Sequence, residues 1–266
     1  MLITLTAVVL ASMAALTAPS LALAYNENFY TPNYQHPQWT KYYCVPSSAE
    51  TELDYINSTR ADTTSATQDL YFGQGQNHGK GSYPDSYGVD PRGWAWVIWK
   101  HRPPYYSYND YKYGSGQQLT ADYALAWSLH ETQKPAGVVV WNGKHAIVAM
   151  GYQASAPLTQ GGTLQGFWLY DPWYLAPNYD QPYFYDPGWG YGIVANSYYQ
   201  LDVFNGTDSS QYHRIMFSTN WASATPGVSY WKGNYVLILR SKAHLPSDEV
   251  AYWNSRPCLQ GLRFTH

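Results

Sequence analysis

The sequence predicts an α+β fold in which N-terminal helices pack on an antiparallel β-sheet. Helical spacing marks the first half of the chain, where Ala49, Leu53 and Ile56 recur at intervals of four and three residues. Short β-rich runs separated by turn residues mark the region after residue 135. Helices that precede strands indicate segregated elements rather than alternating βαβ units.

Three helices are predicted. The first begins within two residues of Pro46, because proline suits the first turn of a helix. The second is a short aromatic helix over 93–100, and the third covers 120–132 with Thr120 as its N-cap. The stretch from residue 25 to 41 is interpreted as an extended lead-in, and 73–93 as a long loop rich in Gly, Asp, Ser and Tyr.

Strands are predicted over 136–141, 145–152, 164–170 and 233–240, and residues 198–204 are compatible with either a strand or a helix. The turn residues Asn142-Gly143 and Gly161-Gly162 separate the first three runs. Connections this short favour antiparallel neighbours. The aromatic stretches 83–113 and 174–198 are interpreted as loops that either line a cleft or pack.

Residues 1–24 differ from the rest of the chain. Residues 2–24 contain no charge, and the segment ends in Ala22-Leu23-Ala24, which is typical of a secretory signal peptide with its cleavage site. No Lys or Arg precedes the apolar run, so an uncleaved anchor stays an alternative. We expect a mature chain of one domain, 25–266, that is secreted and has no membrane segment after signal removal.

Composition and charge exclude several classes of function. The net charge of −3 and the 12% content of charged residues argue against a nucleic-acid partner, since phosphate backbones are met by basic patches. The eight histidines show no metal-ligand spacing, and no Gly-rich phosphate loop follows a strand. We therefore expect no metal and no cofactor, and a monomer. Two cysteines, Cys44 and Cys258, allow at most one disulfide.

Cys44 is a candidate nucleophile because it directly precedes the first predicted helix. Unpaired backbone N–H groups and the helix dipole favour a thiolate there. Gln38 lies six residues upstream, and a glutamine N–H beside the backbone N–H of the nucleophile can hold an oxyanion.

His145 and Asp171 are the candidate base and its orienting acid. His145 begins one predicted strand and Asp171 follows the next, so adjacent antiparallel strands bring the two side chains together. Trp173 is placed to shield their hydrogen bond from water. Asp186 is the competing acid, but it lies in an irregular loop rather than at a strand end.

These residues resemble the papain-like peptidases of the C39-like group. The shared features are Gln38, the run Cys44-Val45-Pro46-Ser47-Ser48, the histidine strand HAIVAMGY and the following Tyr170-Asp171-Pro172-Trp173. The resemblance covers roughly residues 38–173, and Val45 departs from the glycine that is usual after the nucleophile. It implies hydrolysis of a peptide or amide bond by Cys44, His145 and Asp171, with Gln38 as oxyanion donor. The cross-links of cell-wall peptidoglycan are one class of substrate.

A second interpretation is a non-catalytic extracellular binding module on the same fold. Its aromatic residues would stack on a carbohydrate or a peptide ligand, and Cys44 would form a structural disulfide with Cys258. The two interpretations differ in the state of the thiol. A nucleophile must face His145 and an open cleft, so the enzyme hypothesis predicts that Cys44 and Cys258 are unpaired.

Overall fold

The structure is a computed structural model that describes residues 24–59, 64–79, 88–103, 107–113, 118–140, 143, 145–173, 197–200 and 235–241. Within these ranges the chain forms four α-helices and seven strands. The helices are α1 (Cys44–Asn57), α2 (Ser65–Asn77), α3 (Pro91–His101) and α4 (Gln118–Thr132). The strands are β1 (Tyr25–Asn28), β2 (Ser107–Tyr113), β3 (Ala136–Val140), β4 (His145–Ala154), β5 (Leu164–Tyr170), β6 (Ser197–Gln200) and β7 (Tyr235–Ser241). The predicted α+β class is confirmed.

All strands of the described part belong to one antiparallel sheet in the order β2-β7-β3-β4-β5-β6. The predicted neighbours β3, β4 and β5 are adjacent, which confirms the antiparallel prediction for these runs. β1 also pairs with β4, from Tyr25 opposite Ala154 to Asn28 opposite Gly151. β3 pairs with the other end of β4, where Val140 lies opposite His145. β1 and β3 therefore lie end to end along β4.

The sheet has a core on each face. Because side chains alternate along a strand, Val138 and Val140 pack under α4, whereas Val139 packs with α1, α2 and α3. β4 does the same, with Ile147 facing α4 and Ala146 facing the other helices. Burial on both faces explains why β3 reads as a continuous apolar run rather than an alternating one.

The predicted loop over 73–93 is wrong at both ends. α2 continues to Asn77, and α3 already begins at Pro91, with the Asp90 carboxylate accepting the Gly93 N–H at 2.8 Å. α2 itself was not predicted, although the Thr64 side chain caps it by accepting the Ala66 N–H. Residues 80–87 lie outside the described part.

Other boundaries also differ from the predictions. α4 begins two residues before Thr120, so Thr120 lies inside the helix and is not its cap. The extended lead-in contains β1, and the aromatic stretch 83–113 contains α3 and β2. A bulge between Ala149 and Gly151 interrupts the pairing of β4 with β5. At Gly151 an added Cβ would lie 2.0 Å from the Glu27 carbonyl oxygen, so only glycine admits β1 at this distance.

Several predictions lie outside the described residues. These are the signal peptide up to residue 23, residues 174–196 of the aromatic stretch 174–198, and the residues Asp186 and Cys258. Among the helices that the structure describes, none combines the length and the hydropathy needed to cross a membrane.

Candidate active site

Cys44 is the first residue of α1, so its thiol lies at the positive end of the helix dipole. The first helical hydrogen bond runs from the Ser47 N–H to the Tyr43 carbonyl at 2.9 Å. Pro46 is the third helical residue rather than the first, but its missing N–H still falls in the turn that needs none. Cys44 is a partly exposed free cysteine, whereas every residue from Val45 to Ile56 is buried.

His145 and Asp171 lie in direct contact beneath the surface. Each residue is 2% exposed, and His145 Nε2 lies 2.9 Å from Asp171 Oδ1. The sheet explains the contact, because β5 runs antiparallel to β4 and its last residue, Tyr170, pairs with Val148 near the start of β4. The next residue along the chain is Asp171, which therefore lies beside the imidazole.

The Cys44 side chain also interacts with the imidazole and favours its charged form. Nε2 faces Asp171, so the second ring nitrogen, Nδ1, is the atom that can meet the sulfur. Burial alone disfavours the imidazolium, but the Asp171 carboxylate and the Cys44 side chain outweigh it and raise the pKa of His145 to about 9. At neutral pH the ring is therefore protonated between Asp171 and Cys44.

Trp173 covers the imidazole. Its ring stacks on that of His145 with 4.2 Å between centroids and 26° between planes. Its backbone N–H donates to Asp171 Oδ1 at 2.7 Å, and the same oxygen faces His145 Nε2. The residue that shields the ion pair from water thus also holds the carboxylate in position.

Gln38 is 1% exposed and lies next to the start of α1. Its backbone N–H donates to the Pro172 carbonyl at 2.8 Å, which ties it to the loop that carries Asp171. Its Nε2 donates to the Thr40 carbonyl at 2.7 Å, and that carbonyl also accepts the Tyr43 N–H at 3.2 Å. Within the described part, Gln38 Oε1 has no hydrogen-bond donor.

Sequence reasoning missed a buried polar cluster behind Gln38. It comprises His36 from the lead-in, Glu50 and Asp54 from α1, and Gln68 from α2. His36 Nε2 lies 2.6 Å from Asp54 Oδ2, and Gln68 Nε2 lies 2.9 Å from Glu50 Oε2. The spacing of Glu50 and Asp54, four residues apart on one helix face, was the available signal, but such pairs are usually solvated.

Val45 lies where the peptidases that this sequence resembles usually have glycine, and it packs in a hydrophobic core. Its side chain is 6% exposed and belongs to the core that α1 shares with α2 and α3. A β-branched residue here therefore contributes to helix packing.

The structure describes one of the two cysteines, and in it Cys44 forms no disulfide. Cys258, the partner that the binding-module interpretation requires, lies outside the described residues. Among the described residues, no group of three or more His, Cys, Asp or Glu side chains could hold a metal ion.

In comparisons with protein-family models, with curated proteins and with solved structures, nothing matches this chain.

Proposed function

We propose that this protein is a secreted cysteine hydrolase of papain-like, C39-like type that cleaves a peptide or amide bond. The observation that supports it most strongly is the placement of His145 between the Cys44 side chain at a helix start and the buried Asp171 carboxylate. Thiol hydrolysis requires a nucleophile, its base and an acid that orients the base to lie together in this order. The apolar leader ending at Ala24 supports secretion.

In the first half of the reaction the Cys44 thiolate attacks the carbonyl carbon of the substrate and forms a C–S bond. Negative charge moves to the carbonyl oxygen, which the Cys44 backbone N–H and the second amide N–H of Gln38 stabilise. The tetrahedral intermediate collapses as the His145 imidazolium gives its proton to the leaving nitrogen. The amine departs, and a thioester on Cys44 remains.

In the second half a water molecule attacks the thioester while neutral His145 accepts one of its protons. Collapse breaks the C–S bond, releases the carboxylic acid and restores the thiolate–imidazolium pair. Asp171 keeps Nε2 engaged throughout, so Nδ1 stays directed at the reacting atoms. The partners of such an enzyme are peptide substrates, including those of peptidoglycan.

Acylation by p-nitrophenyl acetate tests this proposal without knowledge of the natural substrate. The Cys44 sulfur should take the acetyl group and release one equivalent of p-nitrophenolate in a burst, with the acetyl group mapped to Cys44 by mass spectrometry. Cys44→Ser and His145→Ala should abolish the burst. His78→Ala removes an exposed imidazole at the end of α2 and should leave the burst unchanged. A wild-type protein without acetylated Cys44 would overturn the proposed function.

A further inference from the structure

Gln68 is the fourth residue of α2 and is completely buried. Its amide contacts the main chain on both sides of Gln38. Oε1 accepts the Trp39 N–H at 3.0 Å, and Nε2 donates to the Pro37 carbonyl at 3.0 Å. The second N–H of Nε2 is directed to Glu50 Oε2 at 2.9 Å. Two of the three hydrogen bonds of the Gln68 amide therefore go to this segment, and the third goes to Glu50.

The main chain determines which way the amide points. A carbonyl oxygen only accepts hydrogen bonds, so the nitrogen of the Gln68 amide, and not its oxygen, must face Pro37. The oxygen is then directed to the one group of the pair that can donate, the Trp39 N–H. Neither a glutamate nor an apolar residue of the same length can supply two donors and one acceptor in this geometry.

The backbone of residues 36–39 makes further hydrogen bonds to neighbouring elements. The His36 N–H donates to Thr51 Oγ1 at 3.1 Å, and the His36 carbonyl accepts from Ser47 Oγ. On the opposite side, the Gln38 N–H donates to the Pro172 carbonyl. The backbone of residues 36–39 is thus fixed by α1, by α2 and by the Asp171 loop, and the Gln38 side chain extends from this fixed backbone.

We infer that Gln68 is a positioning residue for the oxyanion donor Gln38. The inference rests on the proposed function, since it assigns Gln68 a role in the same reaction through Gln38. An oxyanion donor acts only when its N–H lies within hydrogen-bond distance of the developing charge, so a shift of about 1 Å costs up to about 100-fold in rate. Gln68 prevents that shift by fixing the two peptide groups next to Gln38.

Two reactions of Cys44 separate this role from general support of the fold. Acylation by p-nitrophenyl acetate passes through an oxyanion, whereas alkylation by iodoacetamide displaces iodide and forms none. Gln68→Met should slow acylation about tenfold, and Gln38→Ala about 100-fold. Both variants should alkylate within about twofold of the wild type, because no oxyanion forms in that reaction. Gln74→Met changes another α2 glutamine, which contacts His101 instead, and is the matched control.

The double variant gives the sharpest result. If Gln68 acts only through Gln38, then Gln38→Ala/Gln68→Met acylates no more slowly than Gln38→Ala alone. If the two effects multiply, or if Gln68→Met slows alkylation as much as acylation, Gln68 merely supports the fold and the inference is overturned. Should Gln68→Met not fold by circular dichroism, Gln68→Asn keeps the amide, shortens its reach and should show the same selective loss. A wild type that alkylates but never acylates removes the proposed function, and this inference with it.

Discussion

At the scale of single residues, the chemistry depends on how His145 keeps a proton while it is buried. Desolvation opposes the charged ring, and the neighbouring carboxylate and thiol favour it, with a net increase of the pKa to about 9. Because the folded-state pKa lies above the ordinary value of 6.5, protonated His145 stabilises the fold fully below about pH 6.5. That contribution is lost as the pH rises through about 9.

Asp171→Asn should therefore lower the pKa of His145 from about 9 towards or below 6.5, because burial then acts without the opposing carboxylate. Asparagine has nearly the same size and shape as aspartate, so a shift in the pKa of His145 would reflect the lost charge rather than a changed geometry. Titration of the imidazole by NMR measures it directly. Asp69→Asn, at an exposed carboxylate that contacts Tyr43, removes the same charge and should leave the titration of His145 in place. An unchanged His145 titration in Asp171→Asn would contradict the electrostatic explanation.

Some of these residues were predictable from the sequence and others were not. Cys44, His145 and Asp171 each lie at the end of an element with a clear pattern, so strand order alone indicates where they meet. Gln68 lies within a helix, and its three partners come from two other segments. A buried glutamine and an exposed one look alike in sequence, because only the tertiary structure distinguishes them.

At the scale of elements, β1 is joined to the sheet by side chains as well as by backbone pairing. Glu27 Oε1 lies 2.6 Å from His130 Nδ1 on α4, and it also accepts a hydrogen bond from the Tyr25 hydroxyl. Tyr152, buried on β4, brings its hydroxyl to 3.2 Å from His130 Nδ1. These contacts link the first described strand to α4 and to the middle of the sheet.

Burial of Glu27 works against its charge, but its hydrogen bonds to His130 and Tyr25 prevail and lower the pKa of the carboxyl below 4.5. Stability from this group is thus present above about pH 4.5 and lost as the pH falls through the lower folded-state value. Glu27→Gln should reduce the free energy of unfolding by about 1–2 kcal/mol at pH 7. Urea unfolding at pH 7 and at pH 3 checks this, and the difference from wild type should shrink at pH 3. An equal difference at both values would contradict the role of the charge.

The elements that sequence reasoning missed have weak local patterns. α2 carries glycines at positions 73 and 75 and buries only Gln68, Tyr71 and Gly75, so it lacks an apolar stripe. β1 has four residues and pairs with a strand more than 120 residues away. Its position is set by the close approach at Gly151, which no local pattern reveals.

At the scale of the whole molecule, the candidate site lies where the helices meet the β-sheet. α1 packs on β3 and β4 through Ala49, Val139 and Ala146, and this contact brings Cys44 to His145. The segment of residues 36–39 is joined to the Asp171 loop by the hydrogen bond from the Gln38 N–H to the Pro172 carbonyl. The predicted order of helices and strands was sufficient to predict the position of the candidate site. The insertion of β7 between β2 and β3 was not predictable, because it depends on pairing between distant segments.

The most direct test of the proposed function is the rate at which iodoacetamide alkylates Cys44 at pH 6 in a Cys258→Ser background. A free thiol ionises near pH 8.5, so less than about 1% is thiolate at pH 6. If the His145 imidazolium stabilises the thiolate, His145→Ala should slow alkylation about tenfold or more, and Cys258→Ser alone should leave the hydrolytic activity nearly intact. A rate at Cys44 that is the same with and without His145 would contradict the proposed nucleophile–base pair.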